Sequence, residues 1–392
     1  MPVYLDHAAT TPLRPEAAEA LVAALGVVGN PASIHSQGQQ ARRMLEEARE
    51  TVAATLGCDP VEVVFTSGGT EAINLAVKGM YWSRNTGRKR PRILLPGGEH
   101  HATTDTVEWL ERAEGARPEW LPLDAAGRIL PPEFEGGEDI ALLSFLAVNN
   151  EVGTVQPTAE LVALSRAAGV PAHVDAVSAY GHLPIDFAAL GADALSVSAH
   201  KIGGPVGIGA LVLARTAAVV PLLHGGGQQR QVRSGTQDVA AAVAFAAAAR
   251  AAESEREAES SRLTALTARL VAGVRAAVPS ARLSGPEPAS GERVAGNAHF
   301  VFPGAQGDSL LFLLDRAGVS VSTGSACTAG IPEPSPVLLA MGRGEADARS
   351  ALRFTLGRTS TAADVDALLA ALPDVCARAT RAGLAERATR LV

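Results

Sequence analysis

The chain has 392 residues, 47% of them hydrophobic, which is enough to bury one large core and a smaller second one. Net charge is −7, and the basic cluster Arg88-Lys89-Arg90 is too short for a nucleic-acid groove and reads as a solvated loop. The opening Met-Pro-Val-Tyr-Leu-Asp-His lacks the basic-then-apolar order of a secretory signal. The alanine-rich run 240–252 contains Arg250 and leads into charged residues, so a soluble helix is expected there rather than a membrane span.

In chain order, residues 61–65 read as a buried strand, followed by Ser67-Gly68-Gly69-Thr70 and an amphipathic helix over about 71–80. A strand over 92–95 precedes a helix near 103–113. Continuous apolar runs at 140–148, 172–175 and 194–198 read as further buried strands, with another candidate at 208–213. Short runs of this kind predict an α/β fold, a mostly parallel sheet covered by helices on both faces. Composition shifts near Ala240, and a long helix to about Ala277 is the expected bridge to a second domain. Strands are expected there at 298–302, 319–322 and 351–356, with helices between them. No internal repeat is visible.

Lys201 follows the apolar run 194–198 in Ser-Ala-His-Lys-Ile-Gly-Gly, and Asp175 ends the preceding run in His-Val-Asp-Ala. A lysine so placed can form a Schiff base with an aldehyde cofactor, and the aspartate can keep a pyridine nitrogen protonated. Together they point to pyridoxal 5'-phosphate (PLP). Read alone, Asp175 is equally a turn residue and Lys201 a surface lysine in a glycine-rich turn. Ser67-Gly68-Gly69-Thr70 lies between a strand and a helix, where free N–H groups suit an anion, although an ordinary helix cap has the same composition. Asn149-Asn150 places two amides at the rim of an apolar sheet, either a ligand site or a polar turn.

His100 could stack on a flat ring or shuttle protons, though a lone histidine is more often structural. Arg353 is a charge inside an apolar strand, which calls for a bidentate carboxylate or phosphate partner or an internal salt bridge. Cys327 stands among small residues, Gly324-Ser325-Ala326 before it and Thr328-Ala329-Gly330 after it, a setting that leaves a thiol accessible. The three cysteines are too few and scattered for a disulfide framework or a zinc site, and no metal site is expected. A reducing cytosol is the expected compartment.

As a set these segments resemble the PLP-dependent cysteine desulfurases of the NifS/IscS kind, within the class V aminotransferases. The motifs run nearly end to end: Tyr4-Leu5-Asp6-His7-Ala8-Ala9-Thr10-Thr11-Pro12, Gly29-Asn30-Pro31-Ala32-Ser33, Phe65-Thr66-Ser67-Gly68-Gly69-Thr70-Glu71, Val148-Asn149-Asn150-Glu151, His173-Val174-Asp175-Ala176, Ser198-Ala199-His200-Lys201, Arg233-Ser234-Gly235-Thr236, Ser325-Ala326-Cys327-Thr328 and Arg353-Phe354. The resemblance implies the aspartate-aminotransferase fold (fold type I) and a homodimer with active sites at the subunit interface. Residues 13–250 would form the large PLP-binding domain, and 1–12 with 251–392 the smaller one.

By the same resemblance Lys201 would be the Schiff-base lysine. Asp175 would pair with the pyridinium nitrogen, and His100 would stack on the ring and move protons. Gly69, Thr70, Ser198 and His200 would hold the phosphate, with Thr236 supplied by the partner subunit. Asn150 and Arg353 would bind the substrate carboxylate, with Asn150 also near the phenolic oxygen. Cys327 would accept sulfur. The implied reaction takes L-cysteine to L-alanine and leaves a persulfide, which passes to an acceptor for iron–sulfur assembly or for thiolation of RNA, DNA or a metabolite. A selenocysteine lyase or aminotransferase on the same fold, and a non-catalytic sulfur-relay protein, are the rival expectations.

Two departures stand out. Ser178 occupies a position where such enzymes usually carry glutamine against the phenolic oxygen, so a changed imine pKa is expected. The segment Ile331-Pro332-Glu333-Pro334-Ser335-Pro336 has three alternating prolines, which predict an extended, stiff arm after Cys327 and delivery to one dedicated acceptor. The Ser-Gly-Ser-Ala-Cys pattern places the chain with the mobile-loop subgroup.

Overall fold

The computed structural model describes residues 2–134, 137–324 and 333–389, the side chains of 382–389 excepted. Cys327, Pro332 and the rest of 325–332 lie outside the described residues.

A two-residue strand β1 (Val3–Tyr4) leads into helices α1 (Pro15–Leu25) and α2 (Ser36–Leu56). The large sheet then builds up as β2 (Val63–Thr66), α3 (Gly69–Arg84), β3 (Arg92–Pro96), α4 (His101–Glu114), β4 (Arg117–Leu121), β5 (Ile140–Leu146), α5 (Thr158–Ala167), β6 (Ala172–Asp175), the short α6 (Phe187–Leu190), β7 (Ala194–Ser198) and β8 (Gly209–Leu213). Its order is β2-β8-β7-β6-β5-β3-β4. The run from β7 through β4 is parallel, whereas β8 is antiparallel to both β2 and β7. Every residue of β5, β6, β7 and β8 is buried, as strands covered on both faces require. Edge strand β4, Arg-Pro-Glu-Trp-Leu, is mostly open to solvent and was not expected from the sequence, since it has neither an apolar run nor clean alternation.

Helix α7 (Val239–Ala277) is continuous over 39 residues. Its alanine-rich start, including Ala242, Phe245 and Ala249, packs in the core of the large sheet, while Leu263, Leu270 and Val274 pack in a second core. Alanine lets α1 and α2 approach it closely, at no cost in helix propensity.

The second core is built on β9 (Arg282–Ser284) and β10 (Asn297–Val301), helix α8 (Gly307–Arg316), the two-residue strand β11 (Val319–Ser320), two short helices α9 (Pro336–Ala340) and α10 (Glu345–Ala348), strand β12 (Ala351–Thr355) and helix α11 (Ala362–Thr389). An antiparallel sheet β12-β10-β9 carries Phe300 and Phe354, which pack on Phe302 with ring centroids 6.1–6.4 Å apart. β1 pairs in parallel with β11, and Leu5 is buried in this second core.

Two expectations need correction. The strand expected over 319–322 stops at Ser320, and Ser322 makes only an isolated bridge to Arg353. The described part of the proline-rich segment does not stay extended to its end. Pro336 opens α9, where no backbone N–H is required, and the Ser335 hydroxyl caps that helix by accepting from Leu338 N at 3.1 Å.

Candidate active site

A cavity of about 480 Å³ opens at the carboxyl ends of the large sheet's parallel strands, where open α/β sheets form crevices. Each strand delivers one part of its wall. The turn after β2 brings Gly69 and Thr70, the turn after β3 brings Glu99 and His100, and β5 leads to Asn150 and Glu151. β6 ends in Asp175, with Val177 and Ser178 just beyond, and β7 ends in Ser198 followed by His200 and Lys201. The second core contributes Arg353 from β12, together with Ser322, Gly324 and Pro336. Most of the sequence-predicted residues thus converge. Thr236 does not, lying instead at a separate surface hollow with Val28, Asn30 and His35.

The turn at Gly68-Gly69 needs its glycines. Gly68 has φ 153°, and a Cβ on Gly69 would sit 2.9 Å from Val177 Cγ2. Across the sheet, a Cβ on Gly209 would lie 2.6 Å from Val197 O and 2.9 Å from Gly68 Cα. Gly209→Ala is therefore expected to push the Gly68 turn outward and cost about 1–3 kcal/mol of stability. The check is a melting curve paired with a titration of cofactor affinity, and unchanged values in both would refute the role given to this contact.

Lys201 stands on a single 3-10 turn, and its Nζ donates to Ala8 O and, at 3.0 Å, to Ala9 O. Burial and then the Arg353 charge lower its pKa to about 8, against the opposing pull of Asp6 and Asp175. Asp175 is 1% exposed; its Oδ1 accepts from Val177 N at 2.9 Å, and burial pushes its carboxyl up to about 6. His100 caps α4 by accepting from Ala102 N on Nδ1 at 3.0 Å. A neutral ring accepting there carries its proton on Nε2. Burial, then the nearby Lys201 and His101, bring its pKa down to about 4, so the ring is neutral at pH 7.

Arg353 is 5% exposed. Its guanidinium donates to Asn150 O at 2.7 Å and pairs with Asp6 at 3.0 Å, which leaves Nε buried without a partner. Asn150 Oδ1 and Glu99 Oε2 are likewise buried and unpartnered. Three unsatisfied polar atoms around one cavity are what a site leaves for its ligand.

Asp6, Glu99 and Glu151 are site residues to which sequence reasoning gave no role. Glu99 Oε1 accepts from Leu146 N at 3.0 Å, and burial raises its pKa well above the usual carboxylate range, with Asp175 adding to the effect. Glu151 is 3% exposed, and burial raises it to about 6. Its Oε2 accepts from Ser335 Oγ at 2.5 Å, and a Cβ on Gly324 would lie 3.3 Å from the same oxygen. The one available signal was a carboxylate directly beside His100 and another beside Asn150. No group of three or more metal-ligating side chains occurs among the described residues.

Comparison with known proteins agrees with this geometry. The class-V aminotransferase family model matches residues 3–368. The chain belongs to that family of PLP enzymes, and within it to the IscS/NifS-type cysteine desulfurases. It is 52% identical over 387 residues to an IscS-like cysteine desulfurase of Mycobacterium tuberculosis, covering 97% of this chain and 98% of the relative. Among solved structures, a NifS-like protein superposes with a TM-score of 0.87 at 33% identity, covering 96% of this chain and all of the other. A structure described as SspA in complex with cysteine gives 0.76 at 31% identity, with 90% of this chain and 98% of the other covered. The fold and cofactor expected from the sequence therefore hold.

The cavity suits PLP. It has an amine of lowered pKa, a buried carboxylate, a glycine turn at a helix start and orphaned polar atoms on its walls.

Proposed function

We propose that this chain converts L-cysteine to L-alanine and leaves the sulfur as a persulfide on Cys327. The observation that carries the reading is the convergence of Lys201, Asp175 and Arg353 on one cavity whose wall includes both flanks of the segment holding Cys327, at Gly324 and at Pro336. A solved relative was described in complex with cysteine, which favours that substrate.

When bound, PLP supplies an aldehyde for an amine and an electron-withdrawing ring that stabilises charge at the substrate's α-carbon. Lys201 Nζ would hold the cofactor, and its free amine would serve as the base for the substrate's α-proton. Asp175, anionic above about pH 6, would keep a pyridine nitrogen of the cofactor protonated. Gly69, Thr70, Ser198 and His200 receive the phosphate, helped by the N-terminus of α3. Neutral His100, on the cavity wall, would move protons through Nε2. Arg353 grips the substrate carboxylate with Asn150 beside it. The Cys327 thiolate would attack the substrate's sulfur, forming the S–S bond as the C–S bond breaks with its electron pair left on the carbon skeleton, and one proton on Cβ and one on Cα would complete alanine.

Thr236 completes the site of a second copy in a homodimer. Its distance from this chain's own cavity supports that, as does the exposed apolar surface near it at Val28 and Ile34. We divide the chain into a large domain, 13–250, and a small one, 1–12 with 251–392. In support, α7 serves one core with its first half and the other with its second. The enzyme works in the cytoplasm. Cys58 and Cys376 are free thiols, and no helix among the described residues is long and apolar enough to cross a membrane. Its sulfur goes to a protein acceptor.

The test uses cysteine with labelled sulfur. Native protein is expected to retain label that a thiol reductant releases. Cys327→Ser should retain none and make alanine only at background. Undiminished alanine formation by that variant would transfer the chain to the lyase or aminotransferase reading.

A further inference from the structure

A second cavity, of about 100 Å³, lies behind the first, between the large sheet and the second core. The two share one wall, made by Ala8, Asn150, Val177, Ser178 and Lys201. Lys201 Nζ donates to Ala8 O, which lines both cavities, and to Ala9 O, which lines the front one, so the amine sits where the two meet.

The wall is thin and polar. Ser178 lines both cavities, and Asn150 Oδ1 is buried and unpartnered. The rear is lined by one face of α7, where Ala252 and Arg256 stand one turn apart and Ser260 one turn further on. His182 opens into it with a neutral ring, its pKa lowered by burial and then by Arg14.

The contents can be reasoned from charge and size. Arg14 is paired with Glu255, Arg256 with Glu253, and Glu259 with Arg262, while Arg358 also lines the cavity near Glu259 as a cation without an ion pair among the described residues, and His7 is a neutral ring. A cavity of this volume has room for roughly three waters at ~30 Å³ each, and water is stable where it finds two to four polar partners.

We propose that the rear cavity is a water-filled conduit that exchanges protons with Lys201 independently of the substrate entrance. The ammonium formed when Lys201 takes the substrate's α-proton gives a proton to a water at the shared wall. That water passes one on toward the rim, and the nitrogen returns to the neutral amine with charge conserved. The inference rests on the desulfurase reading for its substrate, while the presence of the water does not.

The holoenzyme is compared with Ala252→Leu, which fills the rear cavity from α7 at a position with no assigned catalytic role. Room-temperature crystal structures are expected to show ordered water along His182, Asn150 and Ser178 in the native protein and none in the variant. With L-cysteine deuterated at the α-carbon, in ordinary water, native enzyme should wash out most of the deuterium from the product alanine. The variant should retain several-fold more at a similar turnover. Ser260→Met fills the same space from the rim and serves if Ala252→Leu does not fold. Equal retention in native and filled proteins, or a dry or ion-filled cavity in the native one, overturns the proposal. A protein that makes no alanine at all sinks the desulfurase reading instead, and the crystallographic comparison still decides whether the conduit holds water.

Discussion

Lys201→Ala is expected to leave no cofactor on the chain after borohydride reduction and peptide mapping, and to lower alanine formation by roughly 10²–10⁴-fold or more, the range for losing a positioned base. The amine's setting suits both of the jobs proposed for it. Two backbone carbonyls, Ala8 O and Ala9 O, fix its position, and burial with the Arg353 charge brings its pKa to about 8. At pH 7 about a tenth of it is then the reactive neutral amine, against well under a thousandth for an ordinary lysine near 10.4. Cofactor capture by the apoprotein should therefore accelerate about tenfold per pH unit below 8 and level off above it. Stability runs in the same direction. The unfolded lysine holds its proton up to its ordinary pKa while the folded one sheds it near 8, so this group makes folding more favourable as pH rises between the two values. A capture rate flat from pH 6 to 8, or a cofactor mapped to another residue, would contradict the assignment.

Arg353→Gln should raise KM for cysteine by about 10²-fold, equivalent to about 2.7 kcal/mol, while leaving cofactor binding nearly intact. Arg353 is fixed from behind by Asn150 O and Asp6, so its fork is already oriented, and its unsatisfied Nε remains on a buried edge. Arg353→Lys should recover only part of the loss, because an ammonium keeps the charge without the planar pair of donors. Steady-state kinetics alongside a cofactor titration separate the two effects. If kcat falls and KM stays put, Arg353 acts on the reaction and not on substrate capture. A modest loss of stability is also expected, since Asp6 loses its partner, tempered by that carboxylate's own access to solvent.

Legibility in the sequence followed local signal. The strands β2, β3, β5, β6, β7 and β8 were readable because each is a short, continuous apolar run, and Asp175, His100 and Lys201 because each follows such a run. Edge strand β4 is half polar and gave no pattern. The two-residue strand β1 gave no signal of its own and pairs with β11, expected at 319–322 but shorter, 316 positions away at Val3 and Val319. Asp6 and Glu99 stayed without roles for a related reason. What makes Asp6 matter is Arg353, which propensity and periodicity do not see, and what makes Glu99 matter is enclosure by β5 and Asp175. Pro336 was misread because three prolines in alternation look extended, whereas Ser335, held by Glu151, starts a helix at the last of them.

The first stretch of the chain is stitched to its last strand. Leu5 N donates to Ser320 O, Thr355 N donates to Leu5 O, and Ala8 and Ala9 hold the reactive lysine. On a ribosome adding about 5–20 residues per second, that opening segment would wait roughly 15–60 s for its partners to emerge. Until then the segment is tied to the Lys201 turn from one side only, by Thr11 N to His200 O at 3.2 Å and Arg14 N to Gly203 O at 2.8 Å. The large sheet can therefore be complete long before the segment bearing Ala8 and Ala9 is anchored from both sides.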